Sequence, residues 1–261
     1  MLTEAAPGVW VGTSSVMATT STVVVAADGG VLLVDPGVTA DEREALAREV
    51  AGRGWQVAAG LSSHAHWDHL LWAPALGAVP RWALPGAVDE AATRRADLLA
   101  ELAATLGPDD PATGFADVAP LAEGAVPGFP DVVVLGHDAH AAGHAATLVR
   151  GARTLLVGDM LSDLEIPLLD LTHPQPVTAY ADGLALLRLL LETGDVDVVV
   201  PGHGSVADRA EAFRRLASDE AYLAALVTGR AVDDPRLAAA ADWLLAGHRA
   251  QVQALGAREA S

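Results

Sequence analysis

The sequence predicts an α/β protein built from two related β/α halves, and three observations carry that expectation. A pair of β-rich runs flanking a turn occurs early, at residues 23–27 and 31–34, and again in outline at 146–150 and 154–157. Each pair is followed by a helix pattern and then by a short apolar strand that delivers a histidine. About half of the 261 residues are apolar (51%), enough for a sizeable core, and no Gly/Ser-rich or charge-rich linker divides them. Residues 1–261 are therefore expected to form a single domain.

The elements follow in order. Asp28-Gly29-Gly30 joins the first two runs as a hairpin turn, and Asp35-Pro36-Gly37 closes that unit. Residues 41–53, charged and Ala-rich, read as an exposed amphipathic helix capped near Thr39, and 57–61 as a short buried strand. Between the halves lies an insertion at about 85–130. Within it, 88–106 reads as one helix, ended by Gly107-Pro108-Asp109-Asp110-Pro111, and the Pro/Gly-rich remainder as a loop. A helical and loop insertion there could overhang a site as a lid or cover a sheet edge. In the second half, 175–191 is a helix pattern and 196–200 a strand. Two late Ala/Leu-rich helix patterns, 207–226 and 235–255, cover the sheet or form a dimer contact, and the oligomeric state stays open.

The strand at 57–61 runs into Ser63-His64-Ala65-His66-Trp67-Asp68-His69, which packs four metal-ligand side chains into six residues. His64 and His66, two apart on extended backbone, point to one side and can share a cation. A turn towards helix near Trp67 swings Asp68 and His69 elsewhere, towards a second one. Histidine nitrogen and carboxylate oxygen without thiolate suit zinc, with iron or manganese as competitors. Three downstream positions follow strand-like runs, where an open α/β sheet presents ligands: His144 after Ala142-Gly143, Asp159 after Val157-Gly158, and His203 after Pro201-Gly202. His137 and His140 are read as non-ligands, His173 as a cap or loop residue, and His248 as a surface residue of a late helix.

Composition excludes several chemistries. There is no cysteine, so no disulfide, thiol nucleophile or thiolate ligand. There is no lysine either; all 16 basic residues are arginine, which rules out a Schiff base. A formal net charge of −18 disfavours nucleic acid as a partner. The first residues lack a basic stretch followed by an apolar one, and no apolar run approaches a membrane span, so a cytoplasmic location without membrane contact is expected.

The order H-x-H-x-D-H, Gly-His, an apolar strand ending in Asp, and a further Gly-His resembles the metallo-β-lactamase superfamily over nearly the whole chain. The resemblance implies a four-layer αβ/βα sandwich with metals at the shared strand ends. It implies two Zn2+ ions, the first held by His64, His66 and His144, the second by Asp68, His69 and His203, with Asp159 bridging. Asp35 would buttress a histidine ligand. A metal-bound hydroxide would be the nucleophile, with Asp68 and Asp159 as the catalytic carboxylates.

The implied activity is hydrolysis of a small-molecule ester, thioester or lactone. Aspartate at the bridging position resembles the glyoxalase II, lactonase and nuclease branches rather than true β-lactamases, which also use a lysine absent here. The chain departs from homoserine lactonases in having Met160-Leu161-Ser162-Asp163 where a tyrosine is expected, and from glyoxalase II in lacking a basic C-terminal cluster. The alternative within the same superfamily is a mononuclear iron enzyme that oxidises a persulfide; β-lactamase and phosphodiesterase activities rank lower. Ser162, Asp163 and Glu165 lie close enough to Asp159 to reach a substrate. Trp67, Trp72 and Trp82 either line an acyl pocket or pack in the core.

Overall fold

The computed structural model describes all residues except 108–109, 111–112, 239 and 260–261, with the backbone alone for 257–259. One sheet contains β1 (Thr3–Ala6), β2 (Val9–Thr13), β3 (Thr20–Val25), β4 (Gly30–Val34), β5 (Gln56–Leu61), β6 (Arg81–Ala83) and β7 (Ala119–Pro120), side by side in sequence order. Pairing is antiparallel from β1 to β4 and parallel from β4 to β7. The other sheet has the order β13-β12-β11-β10-β9-β8, formed by β8 (Gly124–Val126), β9 (Phe129–His137), β10 (His144–Val149), β11 (Thr154–Leu156), β12 (Val198–Val200) and β13 (Ala207–Asp208).

The duplication expected from the sequence is present in the topology. Antiparallel β3 and β4 are followed by α1 (Ala40–Gly52) and then β5, parallel to β4. Antiparallel β10 and β11 are followed by α4 (Pro176–Glu192) and then β12, parallel to β11. The helix at 40–52 starts where its cap requires. Thr39 accepts from the Glu42 amide while the Glu42 carboxylate accepts from the Thr39 amide, a capping box in which the Thr39 cap contributes about 1 kcal/mol.

Side-chain alternation makes the layers. Val24, Leu32, Val34 and Leu61 face Val132, Val134, Ala145, Leu156 and Val200 across the gap between the sheets. Their neighbours Val23, Val31 and Leu33 turn outwards to Leu46 and Val50 of α1. In the second sheet Ala146, Leu155 and Val199 turn outwards to Leu184, Leu187 and Leu191 of α4 and Leu216 of α5 (Arg209–Val227). Strands apolar on both faces are what a sheet covered on both sides requires, and that is why these runs read as continuously apolar. The result is the four-layer αβ/βα sandwich.

The insertion departs from expectation. Residues 88–106 are not one helix but parts of two, α2 (Pro85–Thr93) and α3 (Arg95–Leu106), broken at Arg94, whose side chain reaches both Glu90 and Glu101. The break lets Ala87 and Ala91 of one and Leu98 and Leu102 of the other pack into a single cluster with Trp67, Leu70 and Phe115. The stretch read as a loop up to 130 contains β7, β8 and the start of β9. The two edge strands β7 and β8 are too short, and too rich in Pro and Gly, to signal themselves. Of the turn read at 107–111, residues 108, 109 and 111 lie outside the described residues. The late pattern 235–255 divides into α6 (Pro235–Ala238) and α7 (Asp242–Glu259). No helix among the described residues is long and apolar enough to cross a membrane.

Candidate metal centre

At the end of β5 the chain leaves the sheet and is pinned on both sides. The Ser62 amide donates to the Trp82 carbonyl (2.8 Å), and the Ser63 carbonyl accepts from the Ala145 amide of the second sheet (2.8 Å). Residues Trp67–His69 then form a single 3₁₀ turn. The reversal separates the motif into two neighbouring donor groups, as its spacing suggests. His64 and His66 join His140 and Asp159; Asp68 and His69 join His203; within each group the donor atoms lie within 4.8 Å of one another. The Asp159 carboxylate sits between the groups, 3.3 Å from His64 Nε2 and His140 Nε2 and 3.2 Å from His69 Nε2 and His203 Nε2.

The ring orientations are fixed from behind. His69 Nδ1 faces Asp35 Oδ2 at 2.9 Å, His203 Nδ1 faces the Met17 carbonyl at 2.9 Å, and His140 Nδ1 faces the Leu168 carbonyl at 2.7 Å. Such oxygens only accept, so each Nδ1 carries a proton and Nε2 is the nitrogen turned inwards, a bare lone pair once the ring is neutral. There these lone pairs meet further acceptors. His69 Nε2 and His203 Nε2 are 3.3 Å apart, and Asp68 Oδ2 is 3.3 Å from each. His64 Nε2 and Asp159 Oδ1 are buried without any hydrogen-bond partner among the described residues. Buried acceptors facing one another repel unless a metal cation, or protons on the imidazoles, lie among them. Separations from 3.0 Å, between His140 Nε2 and His66 Nδ1, to 3.3 Å also suit the edge of a tetrahedron whose centre is about 2.0 Å from each donor. The residues therefore fit divalent metal ions.

The electrostatics divide the two groups. Burial holds His64 down to about 4 against the opposing Asp159 charge, and burial with the neighbouring His64 and His140 holds His66 well below its usual value. Burial also opposes charge on His203 and His69, but carboxylates outweigh it. Asp159, Glu165 and Asp68 lift His203 to about 10, and Asp68, Asp159 and Asp35 lift His69 well above normal. His140 rises too, against its burial, through Asp159 and the Leu168 carbonyl. Asp159 itself is held well below the carboxylate range despite burial, by His203, His69 and His64.

Six of the seven sequence-predicted donors, His64, His66, Asp68, His69, Asp159 and His203, are brought together; His144 is not. His144 begins β10 instead of following a strand, and its Nε2 accepts the Asp159 amide at 3.1 Å, so it holds the backbone of Asp159 rather than facing the cluster. Its neighbour His140 takes the place expected of it, because residues 138–143 loop from β9 towards the donors. Both histidines stand in His140-Ala141-Ala142-Gly143-His144, and it is the one without a preceding glycine that lies in the donor cluster. His137 packs edge-on against His144, 4.5 Å between centroids with the rings at 79°, and stays outside the donor groups.

Asp35 lies where the sequence placed it, against His69, and its other oxygen accepts the Ser63 amide at 2.8 Å. Two glycines are required by this crowding: a Cβ on Gly158 would collide with His144 Nε2, and one on Gly202 with Asp159 Oδ1. Thr19, which carried no sequence signal, places its hydroxyl 3.1 Å from Asp68 Oδ2.

Of the three residues after Asp159, only Glu165 reaches the donors, 3.4 Å from His203 Nδ1; burial, opposed by the His203 charge, lifts its carboxyl to about 7. Ser162 accepts from the Leu164 and Glu165 amides, and Asp163 accepts from the Ser205 amide, so both are occupied in shaping the loop. Trp67 and Trp72 are buried in separate core clusters, and Trp82 packs against the inter-sheet core, which favours packing over an acyl pocket. His173 accepts from the Gln175 amide just before α4, as a loop residue would. His248 is more than a surface residue: its Nδ1 is 2.9 Å from the Tyr222 hydroxyl.

Two sheets meeting at a buried cluster of histidines and aspartates define a metal-binding αβ/βα protein. Residues 16–203 match the metallo-beta-lactamase superfamily, and the chain belongs to it. The di-iron-bound form of TTHA1623 is similar at 27% identity, covering 78% of this chain and 97% of that one, with a TM-score of 0.60. The metallo-beta-lactamase family protein TTHA1429 from Thermus thermophilus is 22% identical over 85% of this chain and 82% of its own, with a TM-score of 0.63. A metallo-beta-lactamase from Pontibacter korlensis is 19% identical over 83% and 97%, with a TM-score of 0.58. Among curated proteins none matches the chain.

Proposed function

We propose that the chain is a dinuclear metallo-hydrolase that cleaves an ester, thioester or lactone of a small molecule. His64, His66 and His140 would hold one ion, Asp68, His69 and His203 the other, and Asp159 would contact both. The carrying observation is the buried set of mutually facing donor atoms, spaced at 3.0–3.3 Å, which a metal cation reconciles when it replaces the ring protons. When bound, a metal pair supplies Lewis acidity and a water acidified towards neutral pH, so no serine or cysteine nucleophile is needed.

The chain's own residues prepare that chemistry. Asp35, Met17 and Leu168 fix the tautomers of His69, His203 and His140, so that each lone pair points inwards. Thr19 donates to Asp68 Oδ2, the oxygen that faces His69 and His203, and holds it in place. Asp159, held ionised, carries negative charge to both groups.

Zinc and iron are both compatible with these donors, and the di-iron-bound relative at 27% identity favours testing iron on equal terms. Plasma mass spectrometry of the metal-replete chain, alongside turnover of thioesters, lactones and phosphoesters, tests the proposal. About two metal ions per chain and chelator-sensitive hydrolysis are expected. One iron per chain with oxygen uptake and no hydrolysis would replace this reading with the oxidative one.

A further inference from the structure

The family match ends at residue 203, yet one of the donors is held in place by a helix beyond it. His140 owes its tautomer to the Leu168 carbonyl, 2.7 Å from Nδ1. Leu168 belongs to the stretch 157–175, which contains neither helix nor strand, so no sheet ladder fixes that carbonyl. A side chain fixes it instead. Gln251 of α7 accepts the Leu169 amide on its Oε1 at 2.7 Å and donates from Nε2 to the Pro167 carbonyl at 3.0 Å, gripping the backbone on both sides of Leu168. The Pro167 carbonyl can only accept and the Leu169 N–H can only donate, so the orientation of the Gln251 amide is unambiguous.

The remaining Nε2 hydrogen of Gln251 goes to the Tyr222 hydroxyl at 2.9 Å, and that hydroxyl meets His248 Nδ1 at 2.9 Å. Gln251 is only 2% exposed, and both its amide hydrogens and its Oε1 have partners inside the protein. One turn earlier on α7, Gly247 leaves the space that the Leu168 side chain fills; a Cβ there would come within 2.9 Å of Leu168 Cδ2. The helix is thus shaped to receive this particular loop segment.

We propose that Gln251 is a positioning residue for the metal donor His140, acting through the Leu168 carbonyl, so that α7 tunes the first donor group and leaves the second untouched. The inference rests on His140 being a donor, as put forward above.

Full-length variants are compared by chelator-competition titration with Zn2+, by the absorption spectrum of the Co2+-loaded protein and by thermal unfolding. Gln251→Leu keeps a branched side chain of similar bulk, one atom shorter, and removes every polar contact. It is expected to weaken the first site about 10- to 100-fold, the range for partners that orient a ligand, and to change the cobalt spectrum while the second site keeps its affinity. Gln251→Glu, which preserves the acceptor for the Leu169 amide, should fall between wild type and Gln251→Leu, and it serves if the leucine variant does not fold. Tyr222→Phe removes a buried partner of Gln251 without touching the 167–169 backbone, so it should lower stability and leave both affinities unchanged.

Wild-type affinity at both sites in the Gln251 variants overturns the proposal. So does equal weakening of both sites, or the same weakening in Tyr222→Phe. His140→Ala separates this failure from that of the underlying reading: if it retains first-site metal, His140 is not a donor and both fall. If it loses that metal while the Gln251 variants keep theirs, only the role of Gln251 fails.

Discussion

The two donor groups are built from the same side chains in opposite surroundings. His64 and His66 sit among other imidazoles, and burial keeps them neutral, His64 down to about 4. His69 and His203 sit among Asp35, Asp68, Asp159 and Glu165, which push both rings towards the protonated form in the metal-free chain, His203 up to about 10. The first group is thus preformed for a metal cation at His64 and His66, with His140 alone raised, whereas the second exchanges protons for one. Occupancy of the two positions should therefore respond differently to pH and to substitution.

The largest expected effect removes the contrast altogether. Asp159→Ala deletes the carboxylate that touches both groups, and turnover should fall to background with at least one ion lost by elemental analysis; full activity with two ions retained would defeat the assignment. Next, His140→Ala should lose the first ion, whereas His144→Ala should keep two ions and reduce turnover about 10- to 100-fold by loosening Asp159. Metal stoichiometry of the two variants, compared side by side, decides which histidine is the donor. Asp35→Asn should weaken the second site by about the same 10- to 100-fold and spare the first, as read by zinc competition. Equal loss at both sites would show that the groups are not separable.

The smallest effect is on the pH dependence of the metal-free chain. His203 is raised from an ordinary value near 6.5, so its ion-pair contribution is fully present below about 6.5 and is lost as pH rises through about 10. His64 is lowered, so its contribution is present above about 6.5 and is lost as pH falls through about 4. Denaturant titrations across that range should show stability declining on both flanks, and metal should flatten the alkaline one because it replaces the protons. Calorimetry at pH 7 in buffers of different ionisation enthalpy should detect protons released as the second group fills; binding without proton release would contradict the contrast.

Much of this protein was legible one residue at a time. The β-rich runs within 23–61 and 146–200 marked the duplicated strands, Thr39 marked the start of α1, and the spacing of His64, His66, Asp68 and His69 announced two neighbouring donor groups, because each depends on neighbours in sequence. Asp35 could be paired with its role through resemblance. The two short edge strands, the break at Arg94 and the depth of the tryptophans could not be read, since each is set by what packs from elsewhere.

The choice of His140 over His144 belongs to the same class. Local periodicity and side-chain chemistry were enough to set the layered α/β plan and the donor types at their spacing. Three things were settled in space instead: which histidine faces the cluster, which oxygen backs each ring, and that Gln251, from a helix beyond the matched segment, fixes the carbonyl behind His140. A hydrogen bond's direction depends on where two distant segments of backbone meet, and no pattern along the chain encodes that meeting.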